Sequence, residues 1–368
     1  MMNNRLKLGV IYGGRSGEHE VSLMSARSVL SVIDPEKFDV IEIGITRQGQ
    51  WLVGENLWSR LKDEDLSGLI PAYFLPIPQN PGVYIKKEGV LTLFSPLDII
   101  FPVMHGSFSE DGTLQGLFEL ANIAYVGAGV LGSAVCMDKG LFKDVMITHH
   151  IPTLPYRVFN RTQLENDLDA CLQAAESVGD YPLFTKPANL GSSVGISKCN
   201  HRSDLVEGLM EAARYDRRIL VEKGLKNPRE IEVSVLGNES PTASVPGEII
   251  PKDIFYTYAE KYINDTAELL VTANLPPESM ASIQELAIKA YQATDCAGMA
   301  RVDFLIDRET NTLYLNEINT IPGFTKISMF PKLWEASGLD YQALIEKLIE
   351  LALERKSQRD KTEREFRR

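Results

Sequence analysis

Two short runs near the C-terminal end hold the densest chemistry in the sequence. In RVDFLI, charged and apolar residues alternate through Phe304. An extended strand would therefore put Arg301 and Asp303 on one face and Val302, Phe304 and Ile306 on the other. In LYLNEIN, Glu317 and Asn319 likewise share a face, and the DRETN between the two runs predicts a hairpin turn. A loop of about three residues would set Asp303 beside Glu317 and Arg301 beside Asn319. Two carboxylates, an amide oxygen and a guanidinium on one patch suit Mg²⁺, above all Mg²⁺ shared with the phosphates of a nucleotide. The plain alternative is a solvated strand face.

Other segments could serve such a ligand. Lys186 ends an apolar strand and is followed by a Gly/Ser loop through Gly195, whose backbone N–H groups and Ser192 and Ser193 hydroxyls could meet phosphate oxygens. Glu222, Lys223 and Leu225 lie in a short segment that could present backbone groups to a purine edge. Glu18 follows the Gly13-Gly14-Arg15-Ser16-Gly17 turn, where its charge suits a helix start and could also receive an ammonium. His105 stands at the end of a buried strand, the edge where open α/β sheets bind ligands, and could meet a carboxylate. Phe255 to Leu270 is polar, aromatic and long, and reads as a lid with Lys261 and Tyr262 as its chemical candidates. Each has a bland counterpart: a flexible turn, an ordinary strand, a structural histidine, a surface helix.

One motif points elsewhere. Gly127 to Gly132 fits G-x-G-x-x-G, the fingerprint of a nicotinamide dehydrogenase, but the acidic residue expected about 20 residues on is missing. A tight turn feeding a helix is the better reading. The chain contains no G-x-x-x-x-G-K-[ST] run, which excludes a P-loop.

These residues need elements to hold them. Strands at Lys7–Tyr12, Phe38–Ile45 and Leu97–Met104, with a helix carrying Leu23, Ala26, Leu30 and Ile33 between the first two, predict a mostly parallel N-terminal α/β unit ending near Gly127. Further on, the patterning predicts helices over Ser133–His149 and Thr162–Val178, and a hairpin of YPLFTKPA with VGISKC. Later strands are expected at RILVEKGL, EIEVSVLG, MARVDFLID and TLYLNEIN, and a closing helix over Tyr341–Arg355 that frays into a charged tail. The division expected is 1–127, 128–220 and 221–368, with the lid loop at about 253–272.

Composition sets outer bounds. The 368 residues are 44% hydrophobic and carry a net charge of −12, so nucleic acid and anionic membrane are poor partners. Four cysteines without a CxxC pair, no leader-like start and no apolar run of about 20 residues lead to the expectation of a reduced, cytoplasmic protein.

Taken in order, GGRSGEHEVS, HGSFSEDGTLQG, MDK, TKPANLGSSVGISK, VEKGL, FYTYAEKY, RVDF and LNEINTIPGFTKISMFPKLWEASG resemble the D-alanine–D-alanine ligases of the ATP-grasp superfamily from about Lys7 to Arg355. The resemblance implies a three-domain α/β and α+β ATP-grasp architecture. It implies ATP-dependent joining of two D-alanines through a D-alanyl phosphate for peptidoglycan precursor, two Mg²⁺ or Mn²⁺ ions, and a homodimer. It implies Lys139, Lys186 and Lys261, with Ser193, at the phosphates; Glu222, Lys223 and Leu225 at adenine with Phe255 near its ring; and Glu230 at the ribose. Asp303, Glu317 and Asn319 would bind the metals. Glu18 would take the first ammonium, with His105 near its carboxylate, and Glu18, Ser192 and Tyr262 would form a linked set. Arg301 and the Gly323 N–H would stabilise the oxyanion, and Ser328 would help hold the second carboxylate. Ser109 and Thr257 depart from the family pattern in their loops, where glycine and aspartate are expected. Tyr262 favours an amine nucleophile over D-lactate. The rivals are another ATP-grasp carboxylate–amine ligase, a D-alanine–D-lactate ligase and, from a different class, a non-catalytic nucleotide sensor on an α/β scaffold.

Overall fold

The structure is a computed structural model that describes residues 5–191, 194–250, 268–325 and 327–363. Its strands form three sheets.

The first sheet grows from β1 (Leu6–Gly13), whose residues from Leu8 onward are all buried. Leu8, Val10 and Tyr12 face one core and Ile11 the other. Burial on both faces explains the near-continuous apolar run. β1 pairs in parallel with β2 (Phe38–Ile45) and β7 (Ile99–Val103), and β7 with β8 (Ala124–Tyr125). This is the expected parallel unit. Unforeseen was an antiparallel extension beyond β2, made of β3 (Trp51–Val53), β4 (Ile70–Phe74), β5 (Gly82–Lys87) and β6 (Val90–Pro96). The helix after β1 runs His19–Leu30, so Ile33 falls past its end, although it still packs on the same core.

The long helices read from periodicity divide. Ser133–His149 belongs to helices Val130–Met137 and Lys139–Thr148, because Asp138 accepts from the N–H groups of Gly140 and Leu141 and starts a new helix. Thr162–Val178 divides in the same way at Asp167, which accepts from the Ala170 N–H. The Gly127–Gly132 motif is a structural turn: Gly127 has φ +97, and a Cβ on Gly132 would lie 2.8 Å from the Asp295 carbonyl.

A four-stranded sheet follows in the order β11 (Ser197–Cys199), β10 (Leu183–Pro187), β12 (Arg218–Lys223) and β9 (Tyr156–Asn160), all antiparallel and including the expected hairpin. The third sheet has β13 (Arg229–Gly237) at its centre. On one side lie β14 (Thr242–Ala243), β15 (Gly247–Ile250) and β16 (Glu268–Leu270); on the other lie β17 (Gly298–Ile306) and β18 (Leu313–Asn319). Of the segment read as a lid, 253–267 lies outside the described residues and 268–270 forms β16.

One face of the third sheet is apolar. Ile231, Val233, Val235, Ala300, Val302, Phe304, Leu315 and Ile318 pack against helix Pro277–Ala293 and against Phe142 and Met146. Its other face presents Glu232, Arg301 and Asp303. The closing helix extends over Tyr341–Asp360, and its Leu344, Ile345, Leu348 and Ile349 join the core of the first sheet.

Candidate active site

The β17–β18 hairpin places the acidic pair. Asp303 lies opposite Glu317 and Arg301 opposite Asn319, as expected, but by a different route. The connection spans 307–312, and a β-bulge on β18 shifts the register between Asp303 and Phe304. Phe304 faces Leu315 while Asp303 faces Glu317, so Asn316 is the extra residue. Without the bulge, Glu317 would turn toward the core. The bulge lets Leu315 and Ile318, three residues apart, both be buried.

Arg301 donates to both carboxylate oxygens of Asp303, at 2.8 and 2.7 Å, and its Nε is 3.1 Å from Glu232. Asn319 donates its amide to Asp303 at 2.9 Å. Sequence reasoning missed Glu232, although the alternation in Arg229-Glu230-Ile231-Glu232-Val233 puts it on the same face. Among the described residues, no three His, Cys, Asp or Glu side chains cluster as a metal site. The protein offers two carboxylates and an amide, an incomplete shell of hard oxygens. That donor set fits Mg²⁺ or Mn²⁺ completed by phosphate oxygens.

Cationic groups border this patch. Lys139, at the start of its helix, donates to the Leu190 carbonyl at 2.6 Å and lies 3.7 Å from Glu317. Lys186 contacts Glu222 directly, and Lys143 reaches the other oxygen of Glu222 at 3.0 Å. Burial alone would raise the Glu222 carboxyl, yet the two ammonium groups overcome it and hold it down at about 2. Burial lowers Lys143; Lys186 is instead raised, because Glu222 outweighs its desolvation. Lys143 is a second residue sequence reasoning missed. Its signal was the four-residue spacing from Lys139, which puts both lysines on one helix face. Glu230 also acts on Lys186 electrostatically. Lys223 is tied to the chain through its N–H, which donates to the Pro155 carbonyl at 2.9 Å, and Leu225 is half-buried.

The N-terminal loops close on the same place. A Cβ on Gly106 would collide with the Glu18 carboxylate, and one on Gly191 would lie 3.4 Å from it. Glu18 thus touches both the His105 loop and the phosphate loop. His105 is buried: Nδ1 donates to the Ile321 carbonyl at 2.9 Å and Nε2 accepts from Ser25 at 3.1 Å, the tautomer that serves both partners. Burial pushes its pKa down, so the ring is neutral. Glu110, within the HGSFSEDGTLQG motif, is a third residue that sequence reasoning missed. Its oxygens accept the N–H groups of Gly106 and Ile321 at 2.8 and 3.0 Å, and burial followed by the charge of Glu18 raises it to about 8. Past Ile321, Gly323 has no room for a side chain, since a Cβ would lie 2.8 Å from the Ser328 hydroxyl. That hydroxyl accepts from the Thr325 N–H at 3.1 Å.

Gly106, Glu110, Lys139, Gly191, Glu317 and Asn319 therefore line one cleft. Ser192, Ser193, Phe255, Lys261 and Tyr262 lie outside the described residues.

Comparison with known proteins identifies the family. The family model described as D-ala D-ala ligase N-terminus matches residues 7–128, and that described as D-ala D-ala ligase C-terminus matches 145–350. A D-alanine–D-alanine ligase of Heliobacterium modesticaldum is 48% identical over 359 residues, covering 97% of this chain and 98% of the relative. One from Natranaerobius thermophilus is 44% identical over 366 residues, covering 98% and 99%. Among solved structures, the D-alanine–D-alanine ligase of Coxiella burnetii superposes with a TM-score of 0.83 at 35% identity, covering 97% of this chain and 96% of its own. The VanG D-Ala:D-Ser ligase of Enterococcus faecalis gives 0.84 at 35% identity, covering 95% and 100%.

Proposed function

This chain belongs to the D-alanine–D-alanine ligase family, and from that premise we propose how its residues divide the work of joining two D-alanines with ATP. A carboxylate is a poor electrophile, so ATP first phosphorylates the first D-alanine. The amino group of the second then attacks the D-alanyl phosphate, and phosphate leaves. Glu18 receives the first ammonium. His105, its ring nitrogens engaged by Ile321 and Ser25, forms the wall beside the first carboxylate. Arg301 and the Gly323 N–H face the oxygen on which negative charge builds in both steps. Ser328 helps orient the second carboxylate.

Lys139 and Lys186 hold the phosphates, joined by Lys261 and Ser193. The Glu222–Leu225 segment offers its backbone to adenine, since the Glu222 carboxylate is taken by two lysines. Phe255 covers the adenine ring and Glu230 takes the ribose. Asp303, Glu317 and Asn319 would hold two Mg²⁺ or Mn²⁺. Bound there, the ions supply positive charge against the phosphate oxygens. Glu18, Ser192 and Tyr262 link the N-terminal loop, the phosphate loop and the segment over the site, which keeps water from the acyl phosphate.

The observation that carries this scheme is the register that sets Asp303 opposite Glu317 beside Lys139. Purified protein given ATP, Mg²⁺ and D-alanine is expected to release phosphate, and L-alanine not to substitute. Silence with D-alanine would overturn the scheme. D-alanine offered with D-lactate or D-serine separates the rival second substrates; with Tyr262, the dipeptide is the product expected.

We further propose the division 1–127, 128–220 and 221–368, with the second boundary moved past Lys223 because β12 belongs whole to the four-stranded sheet, and a cytoplasmic setting. The setting is supported by four free cysteines and by the absence, among the described residues, of a helix long and apolar enough to cross a membrane. We propose a homodimer joined through the edge strand β6, where Val90, Leu91, Leu93 and Phe94 are exposed. Sedimentation is expected to show a dimer that Phe94→Lys weakens.

A further inference from the structure

Two lysines share the Glu222 carboxylate, and they are not equivalent. Lys186 comes from β10 and meets one oxygen; Lys143 comes from helix Lys139–Thr148 and meets the other at 3.0 Å. The Lys143 side chain is only 2% exposed and that of Glu222 3%, whereas that of Lys186 is 12% exposed. Both lysines feel the charge of Glu317, but Lys186 keeps the greater exposure and also feels Glu230, which puts it on the cleft side. Lys143 is buried, with its ammonium 5.7 Å from the Tyr156 ring centre and set back from the cleft.

Lys186 therefore has two competing anions, the protein's own Glu222 and the phosphates of ATP. Moving to the phosphates would leave a deeply buried carboxylate behind. A buried charge stripped of its partner is strongly unfavourable, and that penalty would be subtracted from the affinity for ATP. A second cation that stays in place removes the penalty.

We propose that Lys143 is a positioning residue, the standing counter-ion of Glu222, whose charge frees Lys186 to leave that carboxylate for the phosphates of ATP. The proposal deepens the functional reading above and rests on its placement of Lys186 at the phosphates. Lys143 touches no substrate and acts through Glu222 alone. Its effect must therefore appear in ATP affinity and must vanish when Glu222 is uncharged.

The test is equilibrium titration of the full chain with Mg·ATP in the absence of D-alanine, with circular dichroism confirming each fold. Lys143→Met is expected to raise the dissociation constant by about tenfold or more, and Lys143→Arg, which keeps the charge, by less than about threefold. In a Glu222→Gln background, adding Lys143→Met is expected to change it by less than about twofold, because no carboxylate remains to be stranded. This last comparison stays readable even if Lys143→Met alone does not fold, since the double variant buries no unpaired charge, and a large loss in it overturns the proposal.

Full ATP affinity in folded Lys143→Met, or a further large loss on adding it to Glu222→Gln, overturns the proposal. Lys186→Met, run alongside, tests the underlying reading. Unchanged affinity there overturns that reading and the proposal with it. Weakened affinity for Lys186→Met with none for Lys143→Met overturns the proposal alone.

Discussion

Glu317 and Glu222 show at single residues how differently two carboxylates can be used. Glu317 is partly exposed, faces Asp303 and has an ammonium 3.7 Å away. Glu317→Gln keeps its shape but weakens its hold on a divalent ion. Turnover is expected to fall by about a thousandfold or more, with the thermal midpoint within a few degrees of wild type, as checked by phosphate release and calorimetry. Glu222 is buried between two lysines. Its folded-state pKa of about 2 lies below the ordinary glutamate value of 4.5, so its contribution to stability is fully present above about pH 4.5 and fades as the pH falls toward 2. Glu222→Gln is expected to cost about 3 kcal/mol at pH 7, with the gap from wild type narrowing below pH 4.5, read from urea midpoints at each pH.

At the scale of elements, the bulge on β18 settles which side chains reach the cleft. Unbroken alternation from Leu315 would bury Glu317 and expose Ile318; the observed strand does the reverse, with Ile318 only 4% exposed. Ile318→Ala is therefore expected to cost about 2–4 kcal/mol in urea unfolding, while Glu317→Gln costs less than about 1. The opposite ranking would place the bulge elsewhere. Part of this was readable. The apolar positions 313, 315 and 318 break the two-residue period at Asn316, a sign of an inserted residue that the hairpin expectation passed over. Asp138 and Asp167 were readable too, as helix-start residues inside runs whose periodicity predicts single helices.

Across the whole molecule, the closing helix ties the chain's end to its beginning. Its apolar side joins the core of β1 and β7, Arg355 stacks on Tyr125 at 4.1 Å, Arg359 pairs with Glu119 at 2.5 Å and Glu346 with Lys37 at 2.6 Å. The first sheet is covered on that face by residues more than two hundred positions away. A chain ending at Gly338 is expected to lose protection across β1 and β7, not merely at its end, and amide hydrogen exchange of the truncated protein checks this. Retained protection in those strands would show that the N-terminal sheet supports itself.

The chain alone determined the elements with strong periodicity, the facing of Asp303 with Glu317, and the family, because alternation and ordered motifs are local properties that survive without a fold. Tertiary structure decided the rest. That Lys143 and Lys186 converge on Glu222, that Glu110 and His105 hold Ile321 by its N–H and carbonyl, and that the closing helix covers the first sheet are pairings between distant positions. Burial and charge pairing depend on what packs alongside, and no spacing along a chain records which distant neighbour will arrive.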